Sequence, residues 1–554
     1  MLLSDYLRQG VDGLVPSWNA RTGQLDDPVV GEPTQYGTAY FALITAAVGR
    51  HDLAATAAAT ALAHLADGEQ QPAVSSVRAG ALQFGRGNHR DFMWPAMLRT
   101  ADLLRAAGHI RSGALDAAVG ALAVPDTFKA RPPSNWSAVW LSGEWRRIVG
   151  GASPYTIADV DAWLEPFFAE RIDLEQGMYR EPGLPNSYDL FTRVHLQDMV
   201  ATGYDGRFRS QLDRLAETGL RRTLGVQLSD GSVASAHRST AQTWTLGAQL
   251  ALLGAARAAG YDVPAGALAR AHAALMTTLR PDGTISPVQN GLPAGLRIGY
   301  EGYTADAHYT SLALGFVVAA IRDGLDGAVG VDAPSADAAE RDATHIEHDP
   351  TYRALRHRGR WSVHVNLDPH PHYDGFGIVD LTTGTGRRLQ FVSSAAIAGA
   401  TGFVNLGIAA RDGDTVHPVA HRQFARNRSF TSSRDGLSAE ARDEAGAAYR
   451  VTVRLGPETA TVEESLPGNG TPLTLLVPYP RDVGDGALTD VRTGRDAVTL
   501  THGAETVRIT PEAPIRRIIH LPGGLTNRRG LCGLVRIDLD DPRDALRYAV
   551  TVVS

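Results

Sequence analysis

The sequence predicts two unlike parts in one chain, an array of helical hairpins followed by an antiparallel β-sandwich. Three observations carry that reading. From Tyr36 to about Leu325 the chain is a succession of Ala- and Leu-rich segments with apolar residues every three to four positions. Gly327 to Asp349 is rich in Ala, Asp and Gly and reads as a connection. From Trp361 onward short alternating runs dominate, each bounded by Gly, Pro, Asp or Asn. A chain of 554 residues also exceeds what one hydrophobic core normally serves. The division expected is therefore 1–330 helical, 331–350 linker and 351–554 β.

The helical segments are expected at Ala39 to Val48, Leu53 to Ala66, Phe92 to Ala107, Ala114 to Leu122, Val160 to Arg171, Phe191 to Thr202, Gln211 to Leu224, Thr243 to Ala259, Gly266 to Leu279 and His308 to Ile321. Hairpins of this length suit either a closed ring or an open solenoid, and periodicity does not separate them. Strands are expected at Trp361 to Leu367, Gly377 to Leu381, Arg388 to Ser393, Tyr449 to Leu455, Thr459 to Ser465, Leu473 to Val477, Val498 to Thr501, Val507 to Ile509, Ile515 to His520 and Tyr548 to Val552.

Composition removes several functions. The formal net charge is −7 with no long basic run, so the electrostatic footprint of a nucleic-acid binder is missing. The apolar run Ala54 to Ala66 is broken by Thr and His and falls short of the roughly 20 residues a membrane span needs. One cysteine, Cys532, allows neither an internal disulfide nor a Cys-based zinc cluster. The first residues, Met-Leu-Leu-Ser-Asp-Tyr, show no export signal, which points to the cytoplasm for the chain as written and to secretion if it has been trimmed. No P-loop, His-Glu-x-x-His or Gly-x-Ser-x-Gly motif occurs, and no cofactor is expected. His364, His370, His372 and Asp374 match no tight ligand spacing, so no metal is expected.

Chemistry is sought in the polar, aromatic loops between helices. The densest segment runs from Gly177 to His195. Its helix places Tyr188, Thr192 and His195 on one face by spacings of four and three, a plausible proton-transfer pair, although both could equally be core residues. Asp189 and Arg193 stand four apart, as an ion pair or as a substrate contact. In Pro-Pro-Ser-Asn-Trp, Asn135 could offer its amide to a carboxylate and Trp136 its ring to a sugar, or Ser134 or Asn135 could simply cap a helix. Asn88 and His89 precede a helix in the same way. His237 and Arg238 follow a Ser-Asp-Gly-Ser turn, and Arg offers the planar donors that suit a carboxylate. Tyr300, Glu301, Tyr303, His308 and Tyr309 form a last cluster, either a cleft wall or packing against the β part.

These segments, together with Ser134 to Glu144, Gln227 to Arg238 and the helix-then-β order, resemble the helical-toroid polysaccharide lyases, the group that includes heparinase- and alginate-lyase-like enzymes. The resemblance implies an α/α toroid followed by a β-sandwich. It also implies β-elimination on a uronic-acid-containing oligo- or polysaccharide, with Tyr and His moving protons and Asn or Arg neutralising the carboxylate. Tyr188, His195, Asn135, His89 and Arg238 are then the catalytic candidates. Asn88, Trp136, Arg193, His237, Tyr300, Tyr303 and His308 are the substrate contacts. A glycoside hydrolase on the same scaffold, using Glu181, Asp189 or Glu301, and a non-catalytic glycan-binding protein are the alternatives.

Overall fold

The computed structural model describes residues 1–66, 72–78, 81–86, 90–327, 342–347, 351–370, 373–383, 403–421 and 424–553. Asn88, His89, His372 and the expected strand Arg388 to Ser393 lie outside the described residues.

The helices, in order, are α1 Leu3–Leu14, α2 Gly37–Ala47, α3 His51–Ala66, α4 Arg90–Ala106, α5 Ser112–Ala121, α6 Asp126–Lys129, α7 Asn135–Val149, α8 Ile157–Pro166, α9 Asn186–Ala201, α10 Arg209–Val226, α11 Thr243–Ala258, α12 Ala265–Met276 and α13 Asp306–Arg322. They form two concentric layers. Helices α2, α4, α7, α9, α11 and α13 pack each on the next, and α13 returns to α2, so the inner layer is a closed ring and the array is a toroid. The sequence differs between layers for a physical reason. Outer helix α1 buries Leu3, Tyr6, Leu7, Gly10, Val11 and Leu14, one stripe at helical spacing, whereas inner α2 is buried at every position from Gly37 to Ala46. Glycines let inner neighbours approach. A Cβ on Gly143 of α7 would lie 2.6 Å from the Trp94 ring of α4, and one on Gly315 of α13 would lie 2.7 Å from the Tyr40 ring of α2.

At the C-terminal end of the ring, one carboxylate ties four inner helices. Asp198 of α9 accepts hydrogen bonds from Arg146 of α7 at 2.8 and 3.0 Å, is paired with Arg99 of α4 at 2.9 Å, and with Arg322 of α13 at 2.9 Å. These arginines hold the buried carboxyl well below the ordinary range.

The β part consists of antiparallel sheets. Asp342–Glu347, Arg353–Arg358, Trp361–Asn366 and Gly377–Thr383 form a four-stranded sheet in chain order. A five-stranded sheet centres on Pro472–Asp482, and an eight-stranded sheet includes Ala448–Leu455, Thr459–Ser465 and Ala545–Val553. The sheets share one apolar core that includes Trp361, Val363, Tyr449, Val462, Leu475, Ile537 and Tyr548. Part of the stretch expected as linker, Asp342–Glu347, is instead an edge strand paired with Arg353–Arg358. Among the described residues no helix is long and apolar enough to cross a membrane.

The four-stranded sheet packs on the ring through buried polar contacts. Arg222 of α10 joins Asp189 of α9 at 3.0 Å to Glu347 of the first strand at 2.8 Å. Arg353 donates to the carbonyls of Gly183 and Leu184 at 2.6 and 3.0 Å.

Two stability predictions follow from these buried charges. Asp198→Asn removes the buried charge shared by three arginines and leaves Arg99 without its counter-ion, and should cost about 3–5 kcal/mol, read by denaturant unfolding. In the β core, Glu464 accepts from the hydroxyls of Tyr449 and Tyr548 at 2.9 and 2.8 Å, and burial pushes its carboxyl up to about 7. A folded value above the unfolded one, about 4.3, means the fold binds the extra proton, so this residue's contribution to stability falls as pH rises from about 4 to 7. The difference in stability between the native chain and Glu464→Gln, measured across that range, should show that slope.

Candidate active site

The inner helices all run in the same direction, and their N-termini frame a cavity of about 480 Å³ at the end of the ring opposite Asp198. Tyr36 precedes α2, Phe92 lies in the first turn of α4, Asn135 and Trp136 open α7, and Tyr188, Trp244 and Tyr309 lie in the first turns of α9, α11 and α13. Each helix start carries partial positive charge, so the geometry favours an anion in the mouth. The aromatic walls present flat apolar faces to the cavity.

The polar groups meet at Glu181. Asn135, set at the start of α7 by the Ser134 cap, donates from Nδ2 to Glu181 at 2.8 Å. Arg238 donates to the other carboxylate oxygen, and the Tyr179 hydroxyl donates at 3.4 Å. Asn135 is only 3% exposed, yet its Oδ1 has no hydrogen-bond partner among the described residues, nor does Arg238 Nε. The Arg238 guanidinium stands 4.7 Å from the centre of the Tyr188 ring. The Tyr188 hydroxyl accepts from Ser239 Oγ at 3.2 Å, and that oxygen lies 2.7 Å from the Tyr303 hydroxyl. Burial raises the Tyr188 phenol above its ordinary value and Arg238 only partly opposes it, so the phenol rests protonated.

The loop that carries Arg238 is strained. His237, Ser239 and Ala241 have φ of 59°, 59° and 56°, the left-handed region that non-glycine residues avoid. It is held from outside itself: Asp374 accepts from the His237 amide at 2.9 Å, Arg528 donates to the His237 carbonyl at 3.0 Å, and Glu301 accepts from the Ser239 amide at 2.6 Å. Glu301 is paired in turn with Arg528 at 3.2 Å. A second cavity, also of about 480 Å³, lies beyond Glu181 and Arg238 and is lined by His237, Arg353, Asp368, His370 and Asp374. His237 packs its ring against His370 and Tyr373 at 4.5 and 4.6 Å between centroids. Burial lowers its pKa to about 3, and its Nδ1 has no hydrogen-bond partner among the described residues.

Of the sequence-predicted residues, the structure brings Asn135, Trp136, Tyr188, Arg238 and Tyr303 to the inner cavity and His237 to the outer one. It does not bring His195 there. His195 is 1% exposed, bonded through Nδ1 to Ser142 at 3.1 Å and packed on Phe191, and burial lowers its pKa to about 3. Arg193 is neither a substrate contact nor a surface pair, being fully buried on Asp189, the Gly219 carbonyl and Thr223. The Tyr300 hydroxyl is committed to Asp306 and Arg280, at 2.8 and 2.9 Å. His308 is buried with its ring against Tyr36 and Tyr309. His364 pairs with Asp380 at 3.0 Å inside the β part. Tyr309, expected as part of a cleft wall, lines the inner cavity. Glu181 at its centre was expected only as a hydrolase acid, and Tyr36, Phe92 and Trp244 on the walls were not singled out, although all three stand at helix starts.

No family model matches the chain, and no curated relative matches it. Among solved structures, the chondroitin AC lyase of Streptomyces coelicolor A3, determined as a mutant and in complex with chondroitin sulphate, aligns in both forms with 100% of this chain and 79% of its own, at 14% identity and a TM-score of 0.50. The chain therefore has the fold of the helical-toroid polysaccharide lyases, a closed helical ring followed by an antiparallel β part.

Gly183, with φ of 82°, tests how tightly the site is built: a Cβ there would lie 2.4 Å from the His237 ring. Gly183→Ala adds a left-handed alanine, at about 1–2 kcal/mol, to that collision. The expected outcome is a lower melting temperature by thermal unfolding.

Proposed function

We propose that the chain is a lyase that cleaves a uronic-acid-containing glycan by β-elimination. The observation that supports this most is the gathering of a neutral phenol, Tyr188, with two carboxylate-binding donors, Asn135 and Arg238, where the helix N-termini converge. In the reaction, hydrogen-bond donors draw charge from the uronate carboxyl and make the C5 proton removable. Asn135 and Arg238 supply those donors. A base takes the C5 proton, the electron pair forms the C4–C5 double bond, and the O4 leaving group departs with a proton. Tyr188, protonated at rest, gives that proton to O4. Neutral His237, which lines the outer cavity, takes the proton from C5.

Glu181 favours a second reading, a hydrolase that uses it as an acid. The distinction from Glu301 and Asp189 is one of place: Glu181 lines both cavities, whereas Glu301 and Asp189 line neither, and Asp189 is buried under Arg193 and Arg222.

Incubation with uronate polymers should release products that absorb in the ultraviolet through the new double bond. Tyr188→Phe and His237→Ala should each lower that rate about 10²–10⁴-fold. Depolymerisation with no gain in ultraviolet absorbance would overturn the lyase reading and favour the hydrolase. Since the His237 pKa is about 3, its loss of protons should leave the rate flat from about pH 5 to 8.

A further inference from the structure

Glu181 and Arg238 line both cavities, so this ion pair is the partition between the aromatic chamber inside the ring and the outer cavity against the β part. The pair is not a surface accident. The Glu181 side chain is 10% exposed and accepts from three groups on three separate segments, Asn135, Tyr179 and Arg238. Two of those, Asn135 and Arg238, are the donors that would receive a sugar carboxylate. They also keep unsatisfied capacity, Asn135 Oδ1 as an acceptor and Arg238 Nε as a donor. The buried Arg238 Nε–H is a further donor for an incoming anion once Glu181 moves aside, and Asn135 Oδ1 is an acceptor for a sugar hydroxyl.

We propose that Glu181 is a specificity-determining residue, an internal carboxylate that holds the seat of the substrate's carboxylate and is exchanged for it when an acidic sugar binds. The proposal rests on the lyase reading for its substrate class. Its physical content is a competition: two carboxylates cannot share one Asn–Arg donor set without repulsion, so an acidic sugar binds only by displacing Glu181. A neutral sugar has no anion to offer in exchange and leaves the pair closed. The seat at the partition also places the acidic sugar unit across the junction, with one neighbouring unit in each cavity.

Glu181→Gln keeps the shape and an acceptor oxygen while removing the competing charge. Binding of D-glucuronate to the purified full chain, followed by calorimetry or by the ligand's nuclear magnetic resonance signals, should tighten about 10-fold in this variant, a decade in the dissociation constant. Binding of D-glucose should not change. Arg238→Gln, with an unaltered melting temperature as the check on folding, should weaken glucuronate in both the native and the Glu181→Gln backgrounds. Unchanged or weaker glucuronate binding in Glu181→Gln would overturn the proposal, as would equal tightening of glucose. Because the readout is binding, a chain without lyase activity can still pass or fail this test, which separates the two conclusions.

Discussion

Everything at the mouth of the ring depends on six inner helices being locked side by side and pointing the same way. Parallel packing sets positive helix ends next to one another, an arrangement that electrostatics alone opposes. Asp198 answers this at the far end. One buried carboxylate draws Arg99, Arg146 and Arg322 together and so fixes α4, α7, α9 and α13 in one register. The glycine contacts at Gly143 and Gly315 then bring neighbouring helices close enough to leave the first-turn side chains facing a common space.

The β part supports the inner chamber without lining it. Its residues hold the loops that do. Arg353 grips the carbonyls beside Glu181, Asp374 and Arg528 hold His237 at both ends of its peptide unit, and Asp380 accepts from the Ser235 amide at 3.0 Å. These contacts are charged groups meeting backbone, which fix orientation more sharply than apolar packing does.

The helical pattern was readable because inner and outer helices both repeat every three to four residues: Thr243 to Ala259 was expected and Thr243–Ala258 is observed. Strand Arg353–Arg358 was not, since Arg-Ala-Leu-Arg-His-Arg places charges where a buried strand normally shows apolar residues; Arg353 and His357 are met by carbonyls on the ring, and Arg356 and Arg358 by carbonyls within the β part. The site was half legible. Asn135, Tyr188 and Arg238 stood next to helix starts and turns, where local sequence is informative. His195 shares the face of Tyr188, but seven residues of helix carry it about 10 Å down the axis, into the packed bore of the ring. Spacing reveals a face and not a depth. Tyr36, Phe92 and Trp244 were hidden for another reason: an aromatic residue at a helix start reads as core until the direction of its neighbours is known.

The alternating left-handed residues at His237, Ser239 and Ala241 carry a consequence for how such a protein can change. A peptide bent against its own preference keeps that bend only while its outside anchors persist, so His237 and Arg238 belong to the junction of the two parts rather than to either one. Substitutions at Asp374 or Arg528, remote in sequence and themselves outside the aromatic chamber, therefore act on the loop that carries Arg238 into it. New specificity in this architecture can arise by remodelling the sheets while the ring stays as it is.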